Sequence, residues 1–356
     1  MTPEPDRLTR IDDALRRLGA ELREGAAPNA IRCGAYALVR LLSEGAVGEV
    51  FLAVRTDASE SGKPRGNPDA TPTEVAIKIL KSGIDGGEFL KRFERERAIL
   101  AKLNHPGIVK VVATGLASDG RPWFAMPFEL GAPCTDVANA RKLTLAARLH
   151  VFAAICDAVA AVHAAGVVHR DLKPANVLLV ERDDTLVPSI IDFGIARALD
   201  VPHQGMTPVG VAHRLGTPDF IPPEQWKFGI GACDARSDVF ALGMLLGVLA
   251  AGVVPRRTAP SGIEKATDRK FVDGKRRRTP APSDPCSVTE AFDALLARDR
   301  DEANRVARLR GAKDAAALRT QLPGVDRIVL AACAAKEARP SDAKSLAELV
   351  RNAQRP

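Results

Sequence analysis

One run of eight residues carries most of the chemistry available to this sequence: His169-Arg170-Asp171-Leu172-Lys173-Pro174-Ala175-Asn176. Asp171 is a carboxylate that can accept the hydrogen bond of a hydroxyl and aim it as a nucleophile. Asn176, five positions on, offers an amide oxygen to a hard divalent cation such as Mg²⁺. Lys173 lies between them and can neutralise charge that builds on a group in transfer. A second acid, Asp192, opens Asp192-Phe193-Gly194 just after a short apolar stretch, 21 residues past Asp171. Alone, Asp-Phe-Gly reads as a turn. At this distance from Asp171 it reads as a second carboxylate ligand for the same cation, with Gly194 freeing the backbone beside it. A base, a cation and two metal ligands are parts that phosphoryl transfer requires.

The remaining parts lie upstream. Ser43-Glu44-Gly45-Ala46-Val47-Gly48-Glu49-Val50 is a turn of small residues between two strand-like runs. Small residues at Ser43, Gly45 and Gly48 let backbone N–H groups come close to phosphate oxygens. A plain hairpin is the competing reading, and Ser43 stands where a three-glycine loop would carry its first glycine. Lys78 follows in Val75-Ala76-Ile77-Lys78, on a short apolar strand. An exposed strand lysine would be the ordinary interpretation, but Glu96 argues otherwise. A helix expected over about 87–103 has the inward stripe Phe89, Phe93, Leu100 and Leu103, and Glu96 fills the gap in that stripe. A carboxylate on an apolar face is costly unless paired, so a Lys78–Glu96 pair is expected, holding the amine where it can meet phosphate.

The elements that must position these groups come in a definite order. Leu8, Ile11, Leu15, Leu18 and Leu22 line one face of an amphipathic helix within residues 1–30. Strands are predicted at 37–42, 49–54, 75–80, near 108–114 and at 122–128, with a polar loop over 56–73. An Ala-rich helix follows from Leu143 to Ala165, then short strands at 177–180 and 189–191. The uncharged run Val239–Val254 is 16 residues long and ends at Pro255. A membrane span needs about 20, so the run is read as a buried core helix. Residues 255–287 are rich in Pro, Lys and Arg and are expected to form an exposed insertion. Helices then run to the end. Strands first and helices after predict an α+β chain with a small β-rich lobe and a larger helical one.

Composition sets the class. The 356 residues are 46% hydrophobic and 27% charged, ordinary for a globular protein. The net charge of +7 is concentrated: residues 256–278 hold nine Lys/Arg against three Asp/Glu, and so account for +6 of it. A basic balance confined to one segment is weak support for nucleic-acid binding, even with Lys275-Arg276-Arg277-Arg278 in it. Docking of acidic partners on 256–278 is the next reading. The six cysteines form no CxxC pair and show no metal-ligand spacing with His. They read as reduced, buried thiols of a cytoplasmic protein. The charged start, with Glu4, Asp6, Arg7 and Arg10, is unlike a secretory signal.

With these motifs in place, the sequence resembles the eukaryotic-like serine/threonine protein kinases in their bacterial branch, over about Tyr36–Val350. The resemblance implies the bilobal protein kinase fold: an N-lobe at about 35–126, a C-lobe at about 130–353 with the basic insertion in it, and residues 1–34 as a helical extension. It implies ATP and Mg²⁺ (or Mn²⁺) as cofactors. Val50, Ala76 and Lys78 would contact the nucleotide, Met126 resembles the gatekeeper, and the carbonyl of Pro127 and the N–H of Glu129 would bond adenine. Gly216–Glu224 resembles the platform on which protein substrate lies, with Glu224 paired to Arg339. Asp238 resembles the aspartate that anchors the catalytic loop, and Leu100, Phe193 and His169 a stacked spine. Lys173 with Thr217 marks the serine/threonine type, so the implied activity is transfer of the ATP γ-phosphoryl group to protein Ser/Thr. Arg170 implies control by a phosphorylated activation loop, in which Thr207 is the one hydroxyl residue between Gly194 and Gly216. The stretch 255–322 departs most from the family. Rival readings are a pseudokinase scaffold, disfavoured because Lys78, Asp171 and Asp192 are all present, and a small-molecule kinase, which would lack Lys173 and the platform.

Overall fold

Alternation of apolar and small residues explains the first part of the fold. Five antiparallel strands form one sheet in the order β1-β2-β3-β5-β4: β1 (Tyr36–Glu44), β2 (Gly48–Arg55), β3 (Glu74–Leu80), β4 (Ala113–Leu116) and β5 (Pro122–Pro127). Successive side chains of a strand face opposite sides. Val75, Ile77 and Ile79 of β3 therefore pack together, with Cys33, Tyr36, Ala53, Ala117, Trp123 and Ala125, into one apolar core. Tyr36 meets Trp123 edge-on, with ring centroids 5.9 Å apart.

The computed structural model describes residues 31–45, 48–56, 74–81, 105–192, 218–228, 232–256 and 285–354. The helix expected within 1–30, nearly all of the 56–73 loop, the helix at 87–103 with Glu96, and Phe193, Thr207 and Thr217 lie outside these residues. So does most of the basic segment. The chain divides into two units: residues 1–101 with 109–129, and residues 102–108 with 130–356.

The second unit holds a three-stranded sheet, β6-β7-β8, from β6 (Gly131–Pro133), β7 (Val177–Arg182) and β8 (Thr185–Ile190). Its helices are α1 (Cys134–Ala140), α2 (Leu145–Ala164), α3 (Pro223–Phe228), α4 (Ala235–Ala251), α5 (Val288–Arg298), α6 (Arg300–Arg308), α7 (Ala315–Arg319), α8 (Leu322–Ala332) and α9 (Ala343–Ala353). The uncharged run is α4, a core helix as expected: Val239, Phe240, Leu242, Met244, Leu245, Leu246 and Leu249 are all fully buried. Each such side chain contributes about 1.5–3 kcal/mol of transfer free energy. A capping box of Asp234 and Ser237 starts α4, and Gly252 in the left-handed region ends it. Two buried arginines meet its last carbonyls. Arg148 reaches Leu249 O, and Arg310 reaches Val248 O and Ala250 O. Helix ends leave such carbonyls without partners of their own. Burial lowers Arg148 to about 10 and Arg310 to about 9, so both stay charged at neutral pH.

One expectation needs correction. The strand near 108–114 is shorter and later: Ile108 makes a single bridge to Ile190, and pairing resumes only at Ala113. The reason is the His105-Pro106-Gly107 turn, closed by Ile108 N–H to His105 O and Gly107 N–H to His105 Nδ1. As expected, helices run from residue 288 onward, including 288–319, within the stretch that departs most from the family pattern. Ser287, Asp299 and Asp314 each cap a helix there. All six cysteines are buried and free. Among the described residues one helix, α2, is long and apolar enough to cross a membrane, and more than half of it is buried within the protein.

Candidate active site

In the first unit the register of the sheet brings predicted nucleotide contacts onto one face. Lys78 stands opposite Val50 on β2 and Phe124 on β5, and Ala76 stands opposite Leu52 and Met126. Paired residues share a face, so Val50, Ala76, Lys78 and Met126 all point away from the core that holds Ile77. Ala76 and Met126 are buried, while Lys78 is half-buried. Ser43 pairs with Val50 across a bulged register, and both Ser43 and Gly45 are exposed. Gly45 N–H donates to Gly48 O and closes the turn. A Cβ on Gly48 would lie 2.2 Å from Ile79 O, so this glycine is required by the close approach of β2 to β3. Pro127 pairs with Val75, and Phe128 N–H donates to Glu74 O. The division between the units falls after Glu129. Glu96, the expected partner of Lys78, lies outside the described residues.

In the second unit three predicted residues converge. Lys173 Nζ donates to Asp171 Oδ2 at 2.8 Å, and Asn176 Nδ2 donates to the same oxygen at 3.0 Å and to Asp171 O at 2.7 Å. The Asn176 amide nitrogen is thus occupied with Asp171, which directs its oxygen elsewhere, as a ligand for a hard cation must be. A short 3₁₀ turn, Pro174–Asn176, sets this spacing. Asn176 is buried, whereas Asp171 and Lys173 are half-buried. Asp192 follows β8 with φ of 66°, and Arg170 has φ of 69°. Both are non-glycine residues in the left-handed region, a conformation that costs about 1–3 kcal/mol and clusters at functional sites. The oxygen donors of Asn176 and Asp192 suit Mg²⁺ or Mn²⁺ in chemical type.

The loop is fastened from below. His169 is fully buried, and its ring spans two strands of chain. Nδ1 accepts from Asp171 N–H at 3.2 Å, so the proton sits on Nε2, which donates to Ile191 O at 3.0 Å. The histidine links the residue next to Asp192 to the backbone of Asp171. Asp238, on α4, receives the N–H groups of both His169 and Arg170, at 2.7 and 2.8 Å. Burial pushes the Asp238 carboxyl up, but the hydrogen bond from His163 and the other donors outweigh it and hold the group below its ordinary range.

The protein kinase domain model matches residues 36–302. The chain belongs to the protein kinase family, in its bacterial, eukaryotic-like serine/threonine branch. It is 38% identical over 231 residues to the DNA damage-responsive serine/threonine-protein kinase RqkA of Deinococcus radiodurans, covering 64% of this chain and 31% of that protein. It is 33% identical over 268 residues to the serine/threonine-protein kinase Pkn1 of Myxococcus xanthus, covering 75% and 34%. The chain therefore spans about a third of the length of these two relatives. The kinase domain of Mycobacterium tuberculosis PknI shares the fold, with a TM-score of 0.57, 23% identity, and coverage of 92% of this chain and 100% of that domain. Protein kinase domains imply ATP and a divalent metal.

Elsewhere in the second unit, Glu224 and Arg339 form the expected ion pair, bidentate at 2.7 and 3.1 Å and buried, with Ser237 Oγ also donating to Glu224. Burial raises the Glu224 carboxyl, and the bonds from Arg339 and Ser237 more than reverse this, leaving it below the usual carboxylate value. Two residues were missed. His163, on α2, donates from Nε2 to Asp238 Oδ2 at 2.9 Å and accepts at Nδ1 from Ala343 N–H, the first residue of α9. The signal was faint: one of two histidines in an Ala-rich helix, six residues before His169. Arg256 was assigned to the exposed basic segment, yet it is 9% exposed, with its guanidinium 5.4 Å from the centre of the Phe240 ring. Composition counted it as surface charge, and only the tertiary packing of α4 places it inside.

Proposed function

We propose that this chain is an ATP-dependent protein-serine/threonine kinase, and that its own protein is among its substrates. The observation that carries the reading is the convergence of Lys173 and Asn176 on Asp171, in a loop whose backbone is held by buried Asp238 and His169. Asp171 would accept the hydrogen bond of the substrate hydroxyl and aim its oxygen at the γ-phosphorus. Lys173 holds the Asp171 carboxylate by one oxygen and brings positive charge to where charge develops in transfer. Asn176 and Asp192 would hold Mg²⁺ or Mn²⁺, which when bound neutralises the phosphates and orients them. Lys78 would meet the α- and β-phosphates, with Glu96 as its partner. Ser43, Gly45 and Gly48 would form the phosphate cradle. Val50, Ala76 and Met126 would line the adenine, with Pro127 and Glu129 offering it backbone groups.

We take residues 35–353 as the kinase domain, with 1–34 as an extension, and the compartment as cytoplasmic. Six free, buried cysteines support a reducing compartment. An acidic partner docking on the basic segment would use residues 257–278, because Arg256 is buried.

The test is incubation of purified protein with labelled ATP and Mg²⁺, followed by mass-spectrometric mapping. Label on Ser or Thr is expected, and Asp171→Asn should lower it by about 10³-fold or more. Equal labelling of wild type and Asp171→Asn would refute the assignment of the base. Phosphate on the peptide holding Thr207 is expected too, since Arg170 sits beside Asp171 with its Nε buried and without a hydrogen-bond partner among the described residues. Absence of phosphate there would remove Thr207 as the site.

A further inference from the structure

The turn at Pro218–Phe220 runs into two prolines, Pro222 and Pro223, the second of which opens α3. Prolines have no N–H, so this stretch cannot be held by a backbone ladder. Phe220 and Ile221 are nonetheless buried, and a buried carbonyl needs a donor. Arg256 supplies two of them. Its Nε donates to Asp219 O at 2.9 Å and its Nη2 to Ile221 O at 3.2 Å. The guanidinium lies over Phe240, a fully buried ring of α4. Arg339 lies over the same ring at 4.9 Å while it grips Glu224 at the start of α3. One aromatic ring on the core helix therefore supports two cations, and between them they fasten both ends of residues 219–224. The backbone of Arg256 is fixed as well: its N–H donates to Val254 O, it bridges Pro285, and Cys286 N–H donates to Pro255 O.

We propose that Arg256 is a positioning residue for the protein substrate: it sets the placement of the 218–221 turn, and so of the surface on which the substrate chain lies. This rests on the kinase reading of residues 216–224 as the substrate platform. Two carbonyls two residues apart require a rigid planar fork. A lysine ammonium offers donors from a single point and cannot reproduce that geometry.

The experiment compares wild type, Arg256→Ala and Arg256→Lys, varying ATP and a Ser/Thr peptide substrate separately. The KM for peptide should rise about tenfold in the alanine variant and about threefold in the lysine variant, with the KM for ATP changing less than about twofold. An unchanged peptide KM, or equal rises in both, overturns the proposal, because a general loss of structure would move both. Hydrogen exchange reads the same contact without turnover. The amides of Asp219, Phe220 and Ile221 should exchange faster in both variants, while those of α4 do not. Unaltered exchange at the turn also overturns it. If the alanine variant does not fold, the lysine variant carries both measurements. A wild type that transfers no phosphate would refute the kinase reading instead, and the exchange result would still decide whether Arg256 holds the turn.

Discussion

The sheet of the first unit and the helices of the second hold their candidate site residues by different means. Val50, Ala76, Lys78 and Met126 are placed by strand register alone. Beneath them is an apolar core, and among the described residues of that unit no charged side chain is fully buried. The second unit buries Arg148, His169, Asn176, Glu224, Asp238, Arg256, Arg310 and Arg339. Those polar groups do not line one surface. Apart from Asn176, which holds Asp171, they tie loops and helix ends to α4. The contrast teaches where each method suffices. A ladder aims side chains at no extra cost, but loops that carry Asp171, Asn176 and Asp192, with Arg170 and Asp192 in left-handed backbone, need donors and acceptors brought from other elements.

The largest test of that contrast is Asp238→Ala. It strips the acceptor from His169 N–H and Arg170 N–H and leaves His163 Nε2 without its partner. A loss of about 3–5 kcal/mol is expected in chemical denaturation. A loss below about 1 kcal/mol would mean that the loop is held by other contacts.

Next is the Glu224–Arg339 pair. Arg339→Leu should cost about 3 kcal/mol, and adding Glu224→Met should recover part of it, because the buried carboxylate is then no longer orphaned. A double variant worse than the single would break the argument. The same buried carboxylates give an acid dependence. Asp238 and Glu224 both have lowered values in the folded protein. They bind protons more readily when unfolded, so the stability they contribute is complete above the unfolded value of about 4 and is lost as pH falls through the folded one. Arg339→Leu should flatten the acid limb of a stability–pH curve.

His163→Gln is a finer probe. The Gln amide can still donate to Asp238 but no longer accepts from Ala343 N–H, and about 1 kcal/mol is expected to be lost. His163→Asn should fare worse, since its shorter side chain cannot reach Asp238. The reverse order would place the weight on α9 instead. The smallest effect belongs to the first unit. Arg121, paired with Glu49 at 2.9 Å near the surface, should cost about 0.5 kcal/mol when replaced by Ala. A loss of several kcal/mol there would erase the difference between the units.

Much of this was legible in the residues themselves. The strand alternation of β2 and β3, the uncharged run of α4 and the spacing from Asp171 through Asn176 to Asp192 are local signals, and local signals survive in a linear string. The α+β architecture and the kinase family followed from them. Ser287, Asp299 and Asp314 were equally local as helix caps, and they went unread because the basic stretch before them dominated the composition of that region.

Tertiary structure alone decided what depends on partners far apart in the chain. That His163 would stand between Asp238 and Ala343 joins positions separated by 75 and 180 residues. That Arg256 would be an inner support and not surface charge depended on Phe240 and on two carbonyls at 219 and 221. An arginine has the same side chain in either setting. What differs is the burial and the set of acceptors around it, and those exist only once the chain has folded.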